Sequence, residues 1–297
     1  MTSKLIPLAL VLVVAWPAHG QQPKATVKLT DAKVITADHV YKKTPEGDLT
    51  LHGFFPADWK PTDKRPVVVF FFGGGWKAGA FTQFVPQAEY FASRGMVALS
   101  ADYRIESKHK TTPDKCVEDA KSAIRWVRAN AAKLGVDPDK IVASGGSAGG
   151  HIAACTALVE GFDSADDPKD VSAVPSALLL FNPALNLTRP VMDAKGNDVS
   201  AKISPTRFLK KSAPPTWLVY GDEDAALAQG KEFAAKAKEL GVSVELLTAA
   251  KQPHGFFNRS PWIESTTLAA DAWLVGNGYL TGAGSLKPSA DSKLAKQ

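Results

Sequence analysis

The chain has 297 residues, 45% of them hydrophobic and 22% charged, which marks an ordinary globular protein of one large α/β domain or two small ones. The formal charge of +5 comes from Lys and Arg scattered without a long basic run, so nucleic acid is excluded as an expected partner.

The first twenty residues stand apart. Lys4 precedes an apolar run from Leu5 to Trp16 that ends in Pro17-Ala18-His19-Gly20. The run is too short to span a bilayer and closes on small residues suited to signal-peptidase cleavage. The expectation is a signal peptide over residues 1–20 and a secreted or periplasmic mature chain from Gln21, with no stable membrane insertion. No cysteine at the junction offers a site for a lipid anchor. Two cysteines remain for an oxidising compartment, Cys116 and Cys155. Both fall in predicted helices and read as buried free thiols acting as small hydrophobes. Neither belongs to a C-x-x-C pattern, so no zinc site, and no metal of any kind, is expected.

Residues 25–30 alternate as an edge strand would, and Leu49–Phe55 reads as a second strand. A turn at Pro61–Pro66 leads into Val67–Phe72, a continuous apolar run typical of a central parallel strand. Met96–Ala101 is the next strand. An amphipathic helix follows from Asp114 to Leu134, with Val117, Ala120, Ile124 and Val127 on one face and Gly135 as its C-cap. Lys140–Ser144 is again short, apolar and β-branched, and Gly150–Leu158 reads as an alanine-rich helix. Later strands are expected at Ala177–Phe181, Thr216–Tyr220 and Val242–Leu247, with helices at Ala225–Leu240 and Pro261–Leu274. Strands alternating with helices mean an α/β fold, a mostly parallel central sheet with helices on both faces. No repeat or linker splits the chain. The expectation is one domain over residues 21–280 and a disordered tail over 281–297, which is rich in Gly, Ser, Lys and Ala.

Between the strand at Lys140–Ser144 and the helix at Gly150–Leu158 lies Gly145-Gly146-Ser147-Ala148-Gly149. Small residues on both sides let the backbone reverse without clashes and leave the hydroxyl exposed at the strand's C-terminal end, the G-x-S-x-G nucleophile elbow. An alcohol is a poor nucleophile at neutral pH and needs a base within hydrogen-bond reach, itself oriented by an acid. Of the six histidines, His254 is best placed, in a loop directly after the last apolar strand, where open α/β sheets carry their sites. His39, His52 and His109 have no such placement, and His151 points away from the hydroxyl along its helix. The acid is expected between serine and histidine in the chain, at the end of another strand. Tyr220-Gly221-Asp222-Glu223-Asp224 meets that condition with three competing carboxylates; Asp224 is the choice and Asp222 the runner-up. Gly73-Gly74-Gly75-Trp76 follows the first central strand. A glycine run presents bare amides to a developing oxyanion, so Gly74 and Gly75 are assigned to that role with Ala148, the residue after the nucleophile. Trp76 is the candidate substrate-binding side chain.

Over roughly residues 45–280 the chain resembles the α/β-hydrolase superfamily, and more narrowly its bacterial esterases near acetyl-xylan esterases and hormone-sensitive-lipase-like carboxylesterases. The motifs that carry the resemblance are Phe72-Gly73-Gly74-Gly75-Trp76, Asp102-Tyr103-Arg104, Gly145 to His151, Gly221 to Asp224 and His254-Gly255-Phe256. It implies a serine carboxylesterase that needs no cofactor and acts on a small-molecule or polysaccharide ester. One position departs: Phe72 stands where the family usually has a histidine that fixes the oxyanion loop by hydrogen bonding, which phenylalanine cannot do. A perturbed loop is therefore expected. The stretch Asn182–Pro215, where such proteins often carry a lid, is short, polar and broken by Pro183, Pro190, Pro205, Pro214 and Pro215. An uncovered site suits short acyl groups on bulky, polar carriers. The rival readings are a peptidase related to prolyl oligopeptidases, a formamidase, and a non-catalytic binding protein on the same scaffold.

Overall fold

The computed structural model describes residues 27–297; the expected signal peptide lies outside the described residues. Nine strands form one sheet: β1 Val34–Thr44, β2 Gly47–Pro56, β3 Arg65–Phe71, β4 Val97–Ala101, β5 Val136–Gly146, β6 Ala177–Phe181, β7 Thr216–Gly221, β8 Val244–Ala249 and β9 Leu294–Lys296. Their spatial order is β1-β2-β4-β3-β5-β6-β7-β8-β9. The pairs from β4 through β3, β5, β6 and β7 to β8 are all parallel, while β1, β2 and β9 join antiparallel at the flanks. Among the described residues seven α-helices accompany them: α1 Val85–Ser93, α2 Glu106–His109, α3 Pro113–Ala129, α4 Ala131–Leu134, α5 Ala148–Leu158, α6 Leu227–Leu240 and α7 Trp262–Gly276.

The sheet is buried on both faces, and the period of two along each strand sorts its side chains. Val67, Val69, Phe71, Ile141, Ala143, Leu178 and Leu180 pack with Val117 and Ile124 of α3, Ile152 of α5 and Phe233 of α6. Val68, Phe70, Val142, Leu179 and Phe181 meet Phe84, Phe91 of α1, and Ile263 and Leu274 of α7. Parallel strands covered on two faces must read as unbroken apolar runs, which is why Val67–Phe72 and Ala177–Phe181 were legible in advance. Cys116 and Cys155 are buried and unpaired with each other. Among the described residues no helix is long and apolar enough to cross a membrane.

Three expectations are corrected and one helix is added. Residues 27–30 of the expected first strand are not in the sheet; β1 starts at Val34, and it turns into β2 through a two-residue connection between Thr44 and Gly47. A bulge between Val40 and Lys42 breaks its alternation, which hid the strand from a period-two reading. The helix expected over 114–134 breaks at Asn130 (φ −103°, ψ 17°), and α4 resumes the turn up to Gly135, whose φ of +63° makes the C-cap. Helix α1 was not anticipated. The tail over 281–297 is not a disordered appendage: β9 pairs with Leu247, Thr248 and Ala249 and covers what would otherwise be the open edge of β8. Composition misled there because the anchors are few and specific. Arg94 donates to the carbonyls of Thr281 and Gly282, and the Ser292 hydroxyl, itself buried, meets that of Ser265.

The Arg94 anchor has its own energetic core. Its Nε donates to Asp271 Oδ2 at 2.6 Å, and the Tyr90 hydroxyl donates to the same oxygen at 3.0 Å. The Asp271 side chain is fully buried, so its charge relies on these partners. Removing one partner of a buried ion pair leaves the other uncompensated, at a cost of about 3–5 kcal/mol. Arg94→Leu is expected to lower the urea-denaturation stability by that order, and the double variant Arg94→Leu/Asp271→Leu to recover at least half of it.

Candidate active site

The loops that leave the C-terminal ends of β3, β5, β6, β7 and β8 converge, because parallel neighbours in register end side by side. Phe71 lies opposite Gly145, Gly146 opposite Phe181, and Gly221 opposite Ala249. Ser147 sits where β5 stops and α5 begins, with φ 53° and ψ −117°. This is a region that side chains other than glycine rarely enter and that costs of order 1–3 kcal/mol. The turn survives because its neighbours permit close approach. A Cβ on Gly149 would lie 2.0 Å from the Phe71 carbonyl oxygen and 2.4 Å from that of Phe72. The Ser147 amide donates to the Phe181 carbonyl at 3.0 Å, which ties the elbow to β6.

Ser147 Oγ is 2.8 Å from His254 Nε2, and His254 Nδ1 is 2.7 Å from Asp224 Oδ2. A carboxylate only accepts, so Nδ1 carries the proton and Nε2 is left to accept from the serine hydroxyl. The Asp224 side chain is almost fully buried, and its other oxygen accepts from the Ala226 amide at 2.8 Å. The competing Asp222 is turned away and accepts from the Lys251 amide at 2.6 Å, and Glu223 is exposed. His254 is more than one-third exposed, so the reacting edge of the imidazole faces solvent.

Beside the serine, Gly74 and Gly75 take positive φ, +125° and +64°, and both are exposed. Among the described residues, the amides of Gly74, Gly75 and Ala148 donate to no protein acceptor, whereas that of Gly73 is taken by Gln83 Oε1 at 2.6 Å. Three free donors next to a nucleophile are what an oxyanion requires. Phe72, in the position of the departure, stacks on Tyr103 with ring centroids 4.2 Å apart, and the Tyr103 hydroxyl donates to the Phe72 carbonyl at 2.7 Å. The loop is thus held at this end by packing and by the tyrosine.

Trp76 is half-buried, and its indole N–H donates to His151 Nδ1 at 3.2 Å. His151 Nε2 in turn donates to the Ile203 carbonyl at 2.6 Å. Complete burial lowers the His151 pKa to about 4, so the ring is neutral at neutral pH and presents the lone pair that Trp76 needs. Sequence reasoning set His151 aside and missed three further residues: Gln83, Asn182 and Asn258. Asn182, fully buried with φ +37°, accepts from the Gly255 amide at 3.1 Å and places its Nδ2 3.4 Å from His254 Nε2. Its only signal in the sequence was its place directly after β6.

A serine, histidine and aspartate in hydrogen-bonded series at the C-terminal ends of a mostly parallel, helix-covered sheet define a serine hydrolase of the α/β-hydrolase fold. Comparison with known proteins narrows the class. Residues 55–177 match the BD-FAE family. The chain is similar to carboxylesterase NlhH of Mycobacterium tuberculosis, 31% identical over 232 residues that make up 67% of this chain and 70% of the relative. It is also similar to esterase LipC of that organism, at 27% identity over 82% of this chain and 66% of the relative. Among solved structures, an esterase of Thermogutta terrifontis, esterase 2 with propionate bound, shares 43% identity over 84% of this chain and 97% of its own, with a TM-score of 0.79. The same esterase phosphorylated by paraoxon matches at 44% identity over 83% and 96%, again with a TM-score of 0.79. This chain belongs to the α/β-hydrolase superfamily, to its bacterial esterases of the hormone-sensitive-lipase-like type, and is a carboxylic ester hydrolase.

The strained serine backbone is measurable. Because Gly tolerates φ > 0 and Ala does not, Ser147→Gly is expected to be more stable than Ser147→Ala by about 1 kcal/mol, the reverse of the usual order. Urea denaturation of the two variants at pH 7 checks this; an alanine variant equal to or more stable than the glycine one would contradict a strained turn.

Proposed function

We propose that the chain hydrolyses short-chain acyl esters, acetyl esters foremost, through an acyl-enzyme on Ser147. The observation that carries this reading is the relay from Ser147 Oγ through His254 to Asp224 at 2.8 and 2.7 Å, beside three unpartnered amides. In the first half-reaction Ser147 Oγ bonds to the ester carbonyl carbon while its proton passes to His254 Nε2. Asp224 holds the Nδ1 proton and stabilises the imidazolium. The carbonyl oxygen, now negative, is received by the amides of Gly74, Gly75 and Ala148, each worth about 10²–10³ in rate by analogy with other acyl-transfer sites. Collapse breaks the bond to the alcohol, which leaves with the proton from Nε2. In the second half-reaction His254 takes a proton from water, the resulting hydroxide attacks the acyl carbon, and Ser147 recovers its proton as the acid departs. Trp76, set directly after the two glycines and steadied by His151, is assigned to substrate contact.

Short acyl groups are favoured by the segment that could form a lid. Asn182–Pro215 holds two short 3₁₀ turns, Ser200–Ile203 and Pro205–Phe208, and one isolated bridge between Met192 and Asp198, among its five prolines. Propionate and butyrate accompany two of the similar esterase structures, which supports the same size class here. An exposed His254 suits an ester on a bulky carrier such as acetylated polysaccharide. The apolar run of Leu5–Trp16, read as a signal, supports a reaction outside the cytoplasm.

Initial rates on p-nitrophenyl esters from acetate to decanoate test the reading. The expected profile peaks at acetate, propionate or butyrate, falls at least about tenfold by decanoate, and drops by about 10⁴-fold or more throughout in Ser147→Ala. Hydrolysis of no ester above the Ser147→Ala background would contradict it and turn attention to peptide and formamide substrates.

A further inference from the structure

We propose that Gln83 and Asn258 form a clamp that ties the oxyanion loop to the loop carrying His254, and that both are positioning residues for ester hydrolysis. The proposal rests on the esterase reading above and adds to it a pair of residues that touch neither substrate nor nucleophile.

The clamp is an unbroken series of hydrogen bonds across the mouth of the site. The Gly73 amide donates to Gln83 Oε1 at 2.6 Å. Gln83 Nε2 donates to Asn258 Oδ1 at 3.1 Å, joining side chains 175 residues apart. Asn258 Nδ2 donates to the Gly255 carbonyl at 2.9 Å, and the Asn258 amide reaches the same oxygen at 3.2 Å. The Gly255 amide then donates to Asn182 Oδ1, whose Nδ2 lies against His254 Nε2.

The polarity of the series is forced from both ends. A backbone N–H only donates, so the Gln83 atom facing Gly73 must be oxygen and its amino group must face Asn258. The Asn258 atom that meets this donor must then be oxygen, which turns its amino group to the Gly255 carbonyl, a group that only accepts. Each amide therefore has one orientation that satisfies every partner, and no link can be reversed without placing like groups together.

The clamp adds a side-chain tie to a loop held elsewhere by backbone bonds, in which the Lys77 and Ala78 amides donate to the Gly74 carbonyl and the Glu106 amide donates to that of Trp76. Phe72 offers no polar side chain to the glycine run, and its own attachments to Tyr103 hold only the residue before that run. Within the run, the Gly73–Gln83 bond is the side-chain tie, and by engaging that amide it leaves the next two free to point at the substrate. Oxyanion donors act only when placed to within a few tenths of an ångström, and a misplacement near 1 Å costs about 10²-fold in rate. The same bonds position Gly255, the residue after His254, so one series sets the distance between the base and the oxyanion donors.

The test is steady-state hydrolysis of p-nitrophenyl acetate or butyrate, whichever is faster, by the full-length protein and by Gln83→Leu, Asn258→Leu and the double variant. Gln83→Glu and Asn258→Asp are near-isosteric companions. Each keeps one link of the series and breaks the other, and each serves if the leucine variants do not fold. The clamp predicts a fall in kcat of about 10- to 100-fold in each leucine variant with KM within about twofold, because the donors act on the transition state. It also predicts that the double variant is no worse than about twofold below the poorer single one, since either substitution opens the same series. Single variants with kcat within about twofold of the parent would overturn the clamp while leaving the esterase reading intact. Losses that multiply in the double variant, or that appear in KM alone, would overturn it as well. A parent protein with no esterase activity would remove both.

Discussion

The site depends on how closely β3 approaches the start of α5. Phe71 pairs with Gly145, and the carbonyls of Phe71 and Phe72 lie so near Gly149 that no side chain fits between them. That contact obliges the chain to reverse within a residue or two after β5, which puts Ser147 at φ 53° with its hydroxyl on the outside of the turn. It also fixes the end of β3, from which the oxyanion loop departs. The nucleophile and the root of the oxyanion loop are therefore placed by one steric arrangement. The aromatic packing beneath supports it: a Cβ on Gly146 would meet the ring of Phe257 at 2.5 Å, Phe84 stacks on Phe257, and Phe181 packs tilted against both.

The polar half of the site is assembled on that frame by charge and hydrogen-bond logic. Asp224 is a buried carboxylate, tolerable because the Ala226 amide and the His254 ring both donate to it. Its demand for a donor sets the histidine tautomer, and the tautomer leaves Nε2 as the acceptor that Ser147 requires. His151 follows a parallel logic one turn along α5. Burial holds its pKa down, and the neutral ring passes a fixed orientation from the Ile203 carbonyl to Trp76. The outer residues, Gln83, Asn182 and Asn258, then join loops that come from distant parts of the chain.

The sequence disclosed what local chemistry dictates. Val67–Phe72 and Ala177–Phe181 announced buried parallel strands because no polar residue could be hidden there, and the glycines around Ser147 announced a reversal only small residues allow. Placement directly after a strand singled out His254 and narrowed the acid to Asp222, Glu223 and Asp224, with Asp224 preferred. What stayed hidden depends on partners far away in sequence. The alternation of β1 is interrupted by a bulge that makes sense only opposite β2. The tail over 281–297 has the composition of a disordered segment, yet Arg94, Ser265 and the free edge of β8 give it a fixed path. Gln83 and Asn258 look like ordinary surface amides until the fold brings them to 3.1 Å.

Ester hydrolysis by this site requires that Ser147 become covalently acylated. The most direct measurement treats the protein with one equivalent of paraoxon, follows esterase activity, and maps the phosphoryl adduct by mass spectrometry of proteolytic peptides. A single adduct on Ser147 is expected, with activity lost in proportion to labelling and no labelling in Ser147→Ala. An adduct on another residue, or full activity after Ser147 is modified, would contradict it.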